Sequence, residues 1–213
     1  GAVGGKLSDD KLVATFRGVP FAEPPILSLR WAPPKPKAAW TGTRPAVVDA
    51  PGCPQACKLP TATCPPVVSE DCLYANIFAP AQAVGSSTPS LPVLFFIHGG
   101  NFIQGYGGGL LYDGEKFARD HGVVFISIQY RLGALGFLYS GDGAGQFGGN
   151  FGLLDQQLAL KWAQANVGAF GGAADQVTLF GQSAGGASVA SHLAMPTSAG
   201  LFARAVVMSG SDA

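Results

Sequence analysis

Charge is scarce in this chain: 13 basic and 13 acidic residues cancel across 213 positions, and charged residues make up only 12% of the total. Nucleic acids and anionic membranes are recognised by clustered positive charge, so neither is expected as a partner. Long apolar runs are missing as well. The longest strongly apolar stretch, Leu91 to Ile97, falls far short of the roughly 20 residues that a membrane helix needs, which argues against a membrane span. The chain has no initiator methionine and no signal-like start, so any targeting segment is expected to have been removed or to lie outside these residues. No Asn-x-Ser/Thr sequon occurs, so no N-linked glycan is expected here. Internal repeats are also lacking, and histidine is rare, at three residues.

What remains is a chain that is 47% hydrophobic and rich in glycine, long enough for a sizeable core in a single α/β unit. The first forty residues alternate short apolar runs, such as Leu12 to Phe16, with Pro20, Pro24-Pro25 and Pro33-Pro34. Proline removes ladder donors and biases its predecessor away from helix, so this region reads as an edge hairpin followed by an extended, wrapped segment. Interior strands are expected at Pro92–Ile97, Val123–Ile128, Val177–Phe180 and Ala205–Met208, nearly continuous apolar runs of the kind that are covered on both faces. Helical periodicity runs from about Leu153 to Ala165, with Leu154, Leu158, Lys161-Trp162 and Ala165 as the stripe and Gly168 just beyond. Alternating strands and helices predict a parallel sheet. Glycine clusters at Gly105 to Gly109 and Gly141 to Gly149 mark turns, the second expected to be a mobile loop.

The four cysteines, Cys53, Cys57, Cys64 and Cys72, form one local cluster. A four-cysteine zinc site competes with two disulfides, but zinc ribbons carry two short paired spacings and Cys64 and Cys72 are eight apart. Disulfides are the expectation, and no metal or cofactor is called for. Three pairings are possible, of which the nested one, Cys57 with Cys64 inside Cys53 with Cys72, is the one expected. Oxidised cysteines imply a secreted or organelle-lumen protein.

Gly181-Gln182-Ser183-Ala184-Gly185 follows the apolar run Val177 to Phe180 and precedes a helical pattern. This is the strand, tight turn and helix in which a G-x-S-x-G motif presents a nucleophilic serine. Other ordered blocks accompany it: Phe16-Arg17-Gly18-Val19-Pro20-Phe21-Ala22-Glu23-Pro24-Pro25, Leu29-Arg30-Trp31, Ser69-Glu70-Asp71-Cys72-Leu73-Tyr74, His98-Gly99-Gly100, Tyr130-Arg131-Leu132-Gly133, Gly152-Leu153-Leu154-Asp155-Gln156, Phe170-Gly171-Gly172 and Met208-Ser209-Gly210-Ser211. Together they make the chain resemble the N-terminal two-fifths of a type-B carboxylesterase, the group that includes cholinesterases and fungal lipases. The resemblance implies an α/β-hydrolase fold, incomplete here: a central, mostly parallel twisted sheet with flanking helices and an N-terminal β-hairpin, as one domain over 1–213.

It also implies roles. Ser183 would be the catalytic nucleophile, and the backbone amides of Gly100, Asn101 and Ala184 would form the oxyanion hole. Asn101 stands where the family often has glycine. Arg30 would pair with Glu70, and Arg131 with Asp155, as structural ion pairs. Ala173-Ala174 replaces an acidic position of the family, in what is expected to be a loop.

No base is at hand for Ser183. His98 sits where the family has a structural histidine or aromatic, and His121 is read as lying in a loop before a strand. His192 is nine residues past the serine on one helix, about 13 Å along its axis. Asp212 is the other residue left after the serine that could be considered for a triad, and the family's acid lies much farther on. The acid and histidine are therefore expected outside this segment, which alone should be inactive and should need the remainder of the hydrolase, in cis or as a second chain. Cation recognition is disfavoured, because Pro54 to Asp71 holds no aromatic and Gln182 replaces the glutamate common in cholinesterases. A small neutral carboxylic ester is the expected substrate. The alternative is a noncatalytic adhesion or structural member, since folds do not dictate functions.

Overall fold

A computed structural model describes residues 1–139 and 148–210 of the chain. Most of the second glycine cluster, Ser211 and Asp212 lie outside the described residues. In chain order the strands are β1 (Ala2–Gly4), β2 (Lys6–Leu7), β3 (Val13–Pro20), β4 (Thr43–Pro45), β5 (Tyr74–Pro80), β6 (Leu91–Ile97), β7 (Val124–Ile128), β8 (Gly172–Gln182) and β9 (Arg204–Met208). The helices are α1 (Glu115–His121), α2 (Gly133–Phe137), α3 (Phe151–Asn166) and α4 (Ala184–Ala194).

The main sheet runs β2-β3-β5-β7-β6-β8-β9, beside a small parallel pair of β1 and β4. Its two halves differ. From β2 to β7 the pairs are antiparallel, and from β7 to β9 they are parallel. Parallel neighbours need crossovers, supplied by α1 between β6 and β7, by α2 and α3 before β8, and by α4 before β9. Side chains alternate across this half. Val93, Phe95, Ile97, Ile126, Ile128, Val177 and Leu179 fill one face, while Phe96 and Phe125 pack with Phe78 and Ala118 on the other.

The N-terminal hairpin forms between β2 and β3, with Lys6 opposite Thr15. β3 then continues past the apolar run and pairs with β5, so within the hairpin the short β2 is the edge and β3 is interior. The proline-rich stretch that follows is extended apart from a turn at Leu27–Leu29. β9 departs from expectation. It pairs with β8 alone among the described residues and leaves Val206, Val207 and Met208 exposed, so it is an edge of the described sheet.

α3 spans the expected helix and ends at Asn166, with Gly168 just beyond it. The helix passes into a short turn, Val167–Phe170, that closes at Gly171 in the left-handed conformation (φ 86°). Ala173-Ala174 lies within β8, not in a loop, and His121, expected in a loop before a strand, is the last residue of α1. The loop between β4 and β5 is stapled by Cys53–Cys72 (Cα–Cα 5.0 Å) with Cys57–Cys64 (5.8 Å) nested inside. Among the described residues no helix is long and apolar enough to cross a membrane.

Candidate active site

The parallel half of the sheet ends in the serine turn. β8 stops at Gln182, α4 starts at Ala184, and Ser183 between them is held at φ 55°, ψ −124°. Such a conformation costs a non-glycine residue roughly 1 to 3 kcal/mol and persists only where the surroundings enforce it. They do so by close approach. A Cβ at Gly185 would lie 2.1 Å from the Ile97 carbonyl oxygen, and one at Gly181 would lie 2.4 Å from the Gly185 backbone. The Ser183 amide donates to the Met208 carbonyl of β9 (2.8 Å), and its side chain is half-buried.

The segment leaving β6 packs onto this turn. Gly99 is so close that a Cβ there would come within 3.1 Å of the Ser183 Cβ. The next turn is closed by the Ile103 and Gln104 amides, which both donate to the Gly100 carbonyl (3.1 Å each), and is tied to α2 by Gly133 N–H to the Phe102 carbonyl (2.7 Å). Asn101 sits at φ 55° with an exposed side chain. Asparagine enters the left-handed region more readily than other non-glycine residues, which explains how it can stand where glycine is common. Neither the Gly100 nor the Asn101 amide is paired with another described residue, and Ala184, first in α4, lacks an intrahelical acceptor. Three uncommitted donors therefore flank the serine, one at the positive end of a helix, a neighbourhood suited to an oxygen gaining negative charge. The next residues in the chain, Phe102 and Ile103, line a cavity of about 590 Å3 whose apolar wall continues through Phe137, Leu138 and Leu153 and which Ser183 and Asn101 do not themselves line.

Both buried histidines are occupied. The His98 ring stacks on Tyr130 (4.5 Å between centroids) and its Nδ1–H donates to the Gly99 carbonyl (2.8 Å). His192 stands between the Ser198 hydroxyl on Nδ1 (2.9 Å) and the Gln156 amide oxygen on Nε2 (3.1 Å). Because that oxygen only accepts, His192 carries its proton on Nε2 and is neutral. Burial pushes both rings down to about 4. His121 is exposed on α1, near Phe117.

Both ion pairs form, in different settings. Asp155 is fully buried and takes three donors from Arg131: the backbone amide, Nε and Nη2 at 3.0, 2.8 and 2.7 Å. Burial pushes its carboxyl up and the guanidinium opposes this; with three donors on two oxygens the carboxylate is the form held. Arg30 and Glu70 pair bidentately (2.6 and 2.7 Å) and are 39% and 27% exposed, a partly buried clasp. The sequence reading passed over two features near the serine: the buried amides Gln156 and Gln157 on α3, and Gln55, whose side chain binds the Gly105 backbone. Neither has a spacing signature. Among the described residues no cluster of three or more His, Cys, Asp or Glu side chains could hold a metal.

A serine elbow between a parallel strand and a helix, beside a glycine turn with open amides, defines an α/β-hydrolase. A model of the carboxylesterase family matches residues 1–213, and the chain belongs to that family. It is 44% identical over 204 residues to a para-nitrobenzyl esterase of Bacillus subtilis, covering 94% of this chain and 40% of that protein. A cocaine esterase of Oryctolagus cuniculus is 45% identical over 212 residues (94% and 38%), and a protein of Dictyostelium discoideum named crystal protein is 45% identical over 210 residues (98% and 36%). A solved PNB esterase structure superposes with a TM-score of 0.90 at 42% identity, covering 98% of this chain and 42% of its own. The chain thus spans about two-fifths of the length of these relatives.

Proposed function

We propose that this chain carries the nucleophile and the oxyanion-binding groups of a carboxylic-ester hydrolase. The observation that carries the proposal is the enforced positive-φ turn at Ser183, with Gly99 against it and unpaired amides at Gly100, Asn101 and Ala184. Ser183 Oγ attacks the ester carbonyl while a base takes its proton, and the Gly100, Asn101 and Ala184 amides hold the resulting oxyanion. Collapse expels the alcohol, which receives that proton, and leaves an acyl-serine that water hydrolyses. The base is not one of the histidines here: His98 is buried against Tyr130 with Nδ1 on the Gly99 carbonyl, His192 is held at both ring nitrogens, and His121 sits on another element. An acid and a histidine from outside residues 1–213 complete the machinery, and the segment alone is inactive. A neutral ester fits the apolar cavity wall, Gln182 before the serine, and a 54–71 loop without aromatics. The two disulfides support a secreted or organelle-lumen location.

In the full-length protein, Ser183→Ala should lower kcat on a phenyl ester by more than about 10⁴-fold and remove labelling by an organophosphonate. Residues 1–213 by themselves should give no hydrolysis above background. The second reading is a noncatalytic adhesion or structural member, since a fold does not dictate a function. That reading gains if full-length protein with intact Ser183 is not labelled.

A further inference from the structure

The oxyanion turn is braced from the disulfide loop by one side chain. Gln55 Nε2 donates to the carbonyls of Gly105 (2.8 Å) and Cys53 (3.0 Å), and its Oε1 accepts from the Gly105 amide (2.8 Å). All three bonds agree on one orientation of the amide. A second tie runs beside the first, from the Lys58 amide to Gln104 Oε1 (2.8 Å). Gln55 lies two residues after Cys53 and two before Cys57, so both bridges fix the backbone from which it reaches.

Gly105 is the point at which such a brace acts. At φ 123° it folds back so tightly that a Cβ would meet the Gly99 carbonyl oxygen at 2.4 Å and the His98 ring at the same distance. Gly99 in turn abuts Ser183. An unbroken series of contacts therefore runs from Gln55 through Gly105 and Gly99 to the serine. On its other side the turn is held by Gly133 on the Phe102 carbonyl. Removing Gln55 leaves residues 100 to 105 tied to the disulfide loop by the Lys58–Gln104 bond alone, through a flexible side chain and with the Gly105 backbone released, and preorganised donors lose their effect when they are displaced by even about 1 Å.

The geometry points to Gln55 as a positioning residue that keeps the Gly100 and Asn101 amides aimed at the oxygen, an assignment that rests on the ester-hydrolase reading. Gln55 touches no reacting atom. Its effect belongs to the transition state, in which the oxyanion forms, and not to ground-state binding.

The test uses the full-length protein and the variants Q55A and Q55E. The Glu variant keeps an acceptor for the Gly105 amide but sets an oxygen against two carbonyls, so it retains side-chain volume while breaking the clamp. The expected result for both is a fall in kcat on a phenyl ester of about 10²-fold, with KM within twofold. Affinity for a trifluoromethyl ketone, which mimics the oxyanion, should fall by a similar factor. Amide hydrogen exchange at Ile103 and Gln104, whose bonds go to Gly100 and not to Gln55, should quicken while α3 and α4 keep their protection. Unchanged kcat and ketone affinity in a folded variant would overturn the assignment, as would a loss confined to KM. The two readings fail separately. Wild-type protein that an organophosphonate does not label sinks the esterase reading. In that event unchanged exchange at Ile103 and Gln104 sinks the clamp, and faster exchange supports it.

Discussion

At the scale of single residues, the histidines say most. His98 and His192 are buried, neutral and bonded through their rings, with their proton affinity lowered to about 4 by loss of solvent. Below pH 6.5 the unfolded chain takes up protons on both rings, and the folded chain does not. Stability is thus complete above pH 6.5 and falls as pH drops toward 4, by about 1.4 kcal/mol per pH unit for each ring. Urea unfolding at pH 7.5 and pH 5 should show this loss, and His192→Gln should remove its share of the slope. A flat profile would mean that the rings are solvated. The sequence excluded His192 as a base on helix spacing alone, whereas its actual partners, Gln156 and Ser198, are 36 and 6 residues away and could not be read from it. Asn101 is a different case. Its departure from the family pattern was visible as a letter, but the φ of 55° that makes asparagine acceptable is a property of the folded turn.

Among the elements, α3 shows where periodicity misleads. Its apolar stripe suggested Leu154, Leu158, Trp162 and Ala165 as the core face, yet the most buried positions include Asp155, Gln156 and Gln157, with Ala159, Leu160 and Ala163. Polar side chains are acceptable there because each is answered: Asp155 by Arg131, Gln156 by Ser188 and His192, and Gln157 by Ser198. Asp155→Asn keeps the shape and removes the charge, stranding Arg131 over the Phe151 ring (5.2 Å). We expect a loss of roughly 3 to 5 kcal/mol in unfolding free energy, read from denaturant midpoints, because one partner of a buried pair is left uncompensated. A loss below about 1 kcal/mol would show that water reaches the guanidinium. Strands were easier to read: β6 and β7 match their apolar runs within a residue, since both are covered on two faces. β5 had no such clear run, and β8 extends five residues before its apolar stretch, through Ala173-Ala174, because pairing with Leu91 at Gly172 draws them into the ladder.

For the molecule as a whole, the α/β architecture and the site's outline were legible because strand–turn–helix punctuation is local. The mixed sheet was less so, since β7 joins the two halves, antiparallel to β5 on one side and parallel to β6 on the other, and its partners lie far away in sequence. The nested bridges belong to this scale too. Replacing Cys53 and Cys72 together by serine should lower stability by about 3 kcal/mol in reversible unfolding, and a change under about 1 kcal/mol would mean that other contacts already hold the loop. That stability supports more than the loop. Ser183 occupies a conformation that glycine would adopt with less strain, so selection for foldedness alone would favour losing the hydroxyl. The elbow therefore carries a trade-off: a lineage that relaxed selection on catalysis could gain robustness at this one codon, and retaining serine there is a continuing cost to the rest of the fold.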